Sequence, residues 1–166
     1  MELDKRKNIR LREFDYSQEG GYFITLCTHQ RRCMLSQICP GTEMNRASVI
    51  LSDLGCIADA VLKQVSSRYG FRLDAYVIMP NHIHMVLVKQ EGRECGITVG
   101  RMVGAYKSTV ADQWFKICDQ QGITAGKLWQ RNYYDHILRN EKDYYEKIRY
   151  IDENPDKWRL DDMYRE

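Results

Sequence analysis

No stretch of the 166-residue chain approaches the roughly 20 consecutive apolar residues that a bilayer-spanning helix needs, so a membrane protein is not expected. Six cysteines (Cys27, Cys33, Cys39, Cys56, Cys95, Cys118) include no Cys-x-x-Cys pair, which argues against a zinc ribbon and against a dithiol redox motif. Internal repeats and low-complexity segments are missing as well. The first residues, Met1 to Lys7, are charged and lack an apolar core, so they do not read as a signal peptide, and scattered free thiols fit a reducing cytoplasm. Nor is there an excess of one charge: the net charge is +2 and the pI near 8.2, values that permit a nucleic-acid partner without requiring one. The length suits one domain, expected over 1–166, with residues 1–20 as a basic arm.

Against these absences, one stretch stands out: Tyr76-Val77-Ile78-Met79-Pro80-Asn81-His82-Ile83-His84-Met85-Val86-Leu87-Val88, two apolar runs meeting at Pro80-Asn81. Two of the four histidines lie in it. Strand side chains alternate between faces, so His82 and His84 share one side while Ile83, Met85 and Leu87 take the other. Imidazole is costly to bury unless it is hydrogen-bonded or metal-bound. The triplet therefore reads either as half of a metal or catalytic site or as two satisfied core histidines.

The rest of the chain frames this stretch. Gly20-Gly21 opens an aromatic and β-branched strand, Tyr22 to Thr28. After a Pro40-Gly41 turn, Ser48 or Ser52 is placed to cap a helix over Leu54, Ile57, Ala58, Val61, Leu62 and Val65, which Gly70 stops. Strands then follow from about Arg72 to Met79 and from His82 to Lys89. A second helix is expected from about Thr98 to Cys118, with Met102, Val103, Tyr106, Val110, Trp114 and Ile117 as its apolar stripe. Leu128 to Leu138 reads as a fourth strand, and its Trp129, Arg131, Tyr133 and Tyr134 suit either stacking on nucleobases or a core rim. Asn140 caps a last helix, with Asp143 three residues on as in a capping box, and Pro155 ends it. The order strand, helix, strand, strand, helix, strand, helix outlines an α+β ferredoxin-like sandwich, its helices on one face of a mainly antiparallel sheet and the other face left for a site.

On the last helix Tyr144, Tyr145, Ile148 and Ile151 form the expected core stripe, and Tyr150 falls well away from it, on the side of Lys147 and Asn154. Tyr106 and Tyr134 are rival reactive phenols, but the first lies on an apolar stripe and the second in an aromatic cluster. A metal, a free phenol and basic surroundings together suit phosphodiester transesterification, in which a tyrosine oxygen attacks phosphorus while a cation polarises a phosphate oxygen. Cations that could meet a phosphate backbone are Arg10, Arg12, Arg31, Arg32, Lys107, Arg131 and Lys147; each is equally open to a solvated role.

Several segments, taken in order and spacing, resemble a known family. Ile9-Arg10-Leu11-Arg12, Phe14-Asp15-Tyr16-Ser17, Gly21 to Thr25, Val77 to His84, Leu128-Trp129-Gln130-Arg131, Tyr150-Ile151 and Asn154-Pro155 are similar to segments of the single-tyrosine HUH transposases, in particular the REP-associated tyrosine transposases. The resemblance implies His82 and His84 as metal ligands, Asn154 as a third, Tyr150 as nucleophile and Mg²⁺ or Mn²⁺ as the ion. It implies single-stranded or hairpin DNA as substrate, and a homodimer as one possible assembly. A rolling-circle initiator or relaxase, and a hairpin-binding module that does not cut, are the alternatives. His136 lies in a matching segment, and a structural hydrogen bond is expected of it.

Overall fold

The computed structural model describes residues 20–89 and 97–165. In chain order the elements are β1 (Gly21–Cys27), β2 (Ser36–Cys39), β3 (Ser48–Leu51), α1 (Asp53–Arg68), β4 (Phe71–Ile78), β5 (His82–Lys89), α2 (Val99–Gln120), β6 (Tyr134–Leu138) and α3 (Glu141–Glu153). Four strands make one antiparallel sheet in the order β4-β5-β1-β6. The helix after β1 leads to β4 with β5 lying between, and the helix after β5 leads to β6 with β1 between. Two interleaved β-α-β units of this kind define the ferredoxin-like arrangement.

Local chemistry accounts for the boundaries. Ser52, rather than Ser48, caps α1 by accepting from the Gly55 N–H, and Thr98 and Asn140 do the same for α2 and α3. Gly70, at φ 74°, supplies the left-handed residue that turns α1 into β4. On one sheet face Tyr22, Ile24, Leu26, Ile83, Met85 and Leu87 meet Leu54, Ala58, Leu62, Met102, Val103 and Tyr106 of α1 and α2. Each such side chain, fully buried, contributes about 1.5–3 kcal/mol. The Tyr106 hydroxyl donates to the Ala58 carbonyl at 3.0 Å, fastening the two helices together.

The structure corrects the sequence reading in four places. First, α3 lies not beside α1 and α2 but across the opposite face, where Ile151 packs with Phe23, Val77, Met79, Val86 and Trp158. Second, Tyr145 is exposed, so the core stripe of α3 is Tyr144, Ile148 and Ile151. Third, the expected fourth strand is regular only from Tyr134. Its first part is held by a single bridge between Trp129 and Thr28, and Trp129 and Tyr133 are buried in the core rather than offered to bases. Fourth, β2 and β3 form a separate hairpin that the sequence did not announce: each has four residues, too few for alternation to register.

That hairpin is joined tightly to α1. A Cβ added at Gly55 would fall on the carbonyl oxygen of Leu35, whereas one at Gly104 in α2 meets nothing within 4 Å. Gly55→Ala should therefore destabilise the protein by at least about 2 kcal/mol. Gly104→Ala should stabilise it by about 0.5–1 kcal/mol. Urea unfolding midpoints of the two variants should move in opposite directions.

Candidate active site

Strand register carries the site. Thr25 lies opposite His84 and Cys27 opposite His82, so the two histidines join Phe23, Thr25 and Cys27 on the face covered by α3. Both are buried, at 0 % and 2 % exposure, with ring centroids 4.5 Å apart. Their Nδ1 atoms are satisfied: His84 by the Thr25 hydroxyl at 2.8 Å, His82 by the Asn81 carboxamide oxygen at 2.9 Å. Their Nε2 atoms find no hydrogen-bond partner among the described residues.

The helix α3 delivers Tyr150 and Asn154 to the same place. It buries only Ile151 fully, packs Tyr144 and Ile148 partly against the same cluster, and is further held by polar contacts at both ends. Near its start, Asp143 accepts from His136 of β6 at 2.8 Å, and the Tyr144 hydroxyl donates to Asp74 at 2.7 Å. Asp74 sits where the β4 register slips between Leu73 and Ala75, an irregularity that re-aims its side chain toward α3. At the other end Arg46, in the β2–β3 connection, bridges Asp152 and Asp156 at 2.8 and 2.9 Å. The expected hydrogen-bonding role of His136 is thus what the structure shows. The capping carboxylate of Asp143 serves the Arg139 N–H at 3.2 Å in addition to His136.

So placed, the Tyr150 ring lies 5.1 Å from that of His84 and 5.9 Å from that of Phe23, with 43 % of the residue exposed. Lys147, one turn earlier, has its ammonium 5.0 Å from the Phe23 ring. Asn154 is buried, at the C-terminal end of α3. Its amide nitrogen approaches Asp161 Oδ2 at 3.4 Å, and its Oδ1 finds no hydrogen-bond partner among the described residues.

Three buried polar atoms, His82 Nε2, His84 Nε2 and Asn154 Oδ1, have no hydrogen-bond partner among the described residues. Leaving such atoms unpaired costs about 1–3 kcal/mol each, and lone pairs converging on one point are what a cation binds. Asp161 adds a carboxylate, and ligand atoms of His82, His84 and Asp161 all lie within 4.8 Å of one another. Sequence reasoning missed Asp161. It follows the last helix in a stretch with no periodicity, and only the return of the chain past Trp158 brings it to the histidines. Two imidazoles and a carboxylate oxygen so grouped could hold a metal ion.

Electrostatics follow from burial. Desolvation pushes His82 down to about 4, against the attraction of Asp161, and holds His84 well below its ordinary value, aided by His82 and Lys147. Both imidazoles are neutral at physiological pH, as ligands must be. Burial also raises the Tyr150 phenol, with Asp161 and Asp162 adding to the shift and the Asn154 amide opposing it.

The other proposed DNA contacts are dispersed. Arg31 reaches the Asp162 carbonyl at 3.2 Å, beside the site. Arg32 donates to the Lys127 carbonyl at 2.7 Å, and Arg131 is exposed on the neighbouring loop. Lys107 is committed to carbonyl oxygens of Gln130 and Arg131 at 2.6 and 3.2 Å, so it braces that loop. Arg10 and Arg12 lie outside the described residues. Tyr106 is fully buried; Tyr134, expected in an aromatic cluster, is 56 % exposed on the histidine face of β6, opposite Thr25.

A four-stranded ferredoxin-like sheet with a paired-histidine strand is thus crossed by a helix bearing Tyr150. The chain belongs to the IS200-like transposase family, whose model matches residues 41–154. It is 30 % identical to an uncharacterized protein of Haemophilus influenzae over 98 % of this chain and 94 % of that one. It is 25 % identical to the REP-associated tyrosine transposase of Escherichia coli, covering 86 % of this chain and 70 % of the other. The fold matches that of a REP-associated tyrosine transposase solved bound to a REP hairpin, with a TM-score of 0.64 at 20 % identity over 89 % of this chain and 73 % of that one. No helix among the described residues is long and apolar enough to cross a membrane.

The depressed histidines have a consequence for stability. Between pH 6.5 and about 4 the unfolded chain binds a proton at His82 that the folded chain does not, so stability rises with pH across that window and is lost as pH falls. The loss should reach on the order of 3 kcal/mol from His82 alone. Urea unfolding from pH 7 down to about 4.5 should show this slope in the metal-free parent, and His82→Gln should flatten it.

Proposed function

We propose that the protein is a metal-dependent single-stranded DNA endonuclease and strand transferase that works through a covalent 5′-phosphotyrosine at Tyr150. The observation that carries this reading is a set of three buried atoms with no hydrogen-bond partner among the described residues, on His82, His84 and Asn154, beside a half-exposed phenol. A divalent cation held by these atoms, with Asp161 as a further oxygen, would polarise a non-bridging phosphate oxygen.

The chain's own residues do the rest. Tyr150 Oη bonds to phosphorus as the bond from phosphorus to the 3′ oxygen breaks. The phenol gives up its proton, and the departing oxygen takes one up to become a free 3′ hydroxyl. Another 3′ hydroxyl can reverse the step and join strands, because the phosphotyrosine conserves the energy of the bond. Burial raises the Tyr150 phenol above its ordinary value, so the attack requires its proton to be removed as the bond to phosphorus forms. In this reading Lys147, Arg31, Arg32 and the exposed Arg131 would meet backbone phosphates, and Lys107, bonded to the Gln130 carbonyl, would brace the Arg131 loop. Tyr150 lies against His84 of its own chain, so this reading needs no tyrosine from a second subunit. The relative solved with a REP hairpin supports hairpin DNA as the substrate class.

Incubation with labelled hairpin-bearing single-stranded oligonucleotides and Mn²⁺ should yield a protein-DNA adduct on a denaturing gel. Tyr150→Phe should lower adduct formation by at least about 10⁴-fold while leaving oligonucleotide binding in place. Persistence of the adduct in Tyr150→Phe would assign the nucleophile elsewhere, with the exposed Tyr134 next to be tested. Absence of an adduct in the parent with every hairpin and metal would leave a binding module.

A further inference from the structure

Asn81 closes the turn between β4 and β5, is fully buried, and spends its whole carboxamide on three contacts. Its Nδ2 donates to the Met163 carbonyl at 2.8 Å and to the Arg31 carbonyl at 3.2 Å. Carbonyl oxygens only accept, so both amide protons are committed and the orientation of the group is settled. Its Oδ1 must then face His82 Nδ1, 2.9 Å away, and since a carboxamide oxygen carries no proton, that ring nitrogen must be the donor. The lone pair of His82 is forced onto Nε2, the atom turned toward Asp161 and Asn154. Thr25, which plays the matching part for His84, has a hydroxyl that can donate or accept and so imposes no such choice.

The two carbonyls held by Asn81 belong to the turn after β1 and to the C-terminal segment. Gln30 and Arg31 are consecutive residues at φ 57° and 53°, a left-handed conformation that non-glycine residues adopt at a cost, and it is this turn that aims the Arg31 carbonyl at Asn81. Met163 follows Asp161 by two residues, and its N–H returns to Asp161 Oδ1 at 2.7 Å. The Arg31 guanidinium meets the intervening Asp162 carbonyl. Asn81 thus sits between the segment that supplies Asp161 and the imidazole that faces it.

We propose that Asn81 is the positioning residue of this site: its carboxamide holds His82 in the Nδ1–H tautomer and fastens the C-terminal segment that carries Asp161 over the same atom. The inference rests on the reading of His82 as a metal ligand. It makes ligand readiness conditional on docking of that segment, because losing the Met163 contact frees the amide to turn over and removes the acceptor that fixes the tautomer.

The test is long-range proton-nitrogen NMR of histidine-labelled, metal-free protein, with Mn²⁺ affinity measured separately by electron paramagnetic resonance. The parent should show His82 protonated at Nδ1 alone. Asn81→Ala should lose that single state and bind Mn²⁺ about 10- to 100-fold more weakly. Asn81→Asp keeps an acceptor for Nδ1–H but no donors, so it should preserve the tautomer while the amides of residues 161–165 exchange faster. The proposal is overturned if the parent carries its proton on Nε2, or if Asn81→Ala keeps both tautomer and affinity. Should Asn81→Ala fail to fold, the parent spectrum and Asn81→Asp still decide it. A parent that takes up no Mn²⁺ would defeat the functional reading, and the tautomer would still be decided by the spectra.

Discussion

Everything around the site depends on two imidazoles buried side by side without their full complement of hydrogen bonds. A buried polar atom with no partner is costly, and His82 Nε2, His84 Nε2 and Asn154 Oδ1 have none among the described residues. The cost is borne by an apolar frame: Phe23 stacks on His84, Trp158 leans on His82, and the far side of the sheet is packed with Ile83, Met85 and Leu87 against two helices. That frame excludes water, keeps both rings neutral, and leaves their Nε2 atoms facing inward.

The tyrosine helix has a different kind of attachment. With one fully buried residue of its own, α3 cannot draw its position from burial alone. It is fixed by directional contacts from three separate parts of the fold: His136 on β6, Asp74 at the β4 irregularity, and Arg46 from the β2–β3 hairpin. Exposed ion pairs of the Arg46 type are individually weak, but anchors at both ends of a short helix determine its angle across the sheet. That angle sets Tyr150 beside His84 while Asn154, one turn later, faces His82. The Escherichia coli and Haemophilus influenzae relatives align over most of their own lengths, so the frame as a whole, not one motif, is shared.

Much of this was legible in the chain. Aromatic, β-branched and apolar runs marked β1, β4 and β5, the 3.6-residue stripes marked α1 and α2, and Asn140, with either Ser48 or Ser52, was readable as a cap because a side-chain oxygen before an apolar periodic run has one obvious use. The pairing of His82 with His84, and the isolation of Tyr150 from its own helix's apolar stripe, were matters of period alone. Short or irregular pieces were not legible. The β2–β3 hairpin has strands too brief to alternate, the Leu128–Tyr133 stretch follows the surface of β1 without joining the sheet as a regular strand, and Tyr145 faces solvent although its spacing suits the core.

By itself the sequence determined which side chains share a strand face or a helix side, because those relations follow from backbone geometry within a few residues. It could not determine which sheet face α3 would cover, since an apolar stripe fits either surface and the choice is made by contacts from β4, β6 and the hairpin, distant in the chain. Nor could it place Asp161, or give Asn81 a use beyond its turn. Asp161 is brought to His82, and the Met163 carbonyl to the Asn81 amide, only when the C-terminal segment folds back, and a hydrogen bond between residues some eighty positions apart leaves no periodic trace.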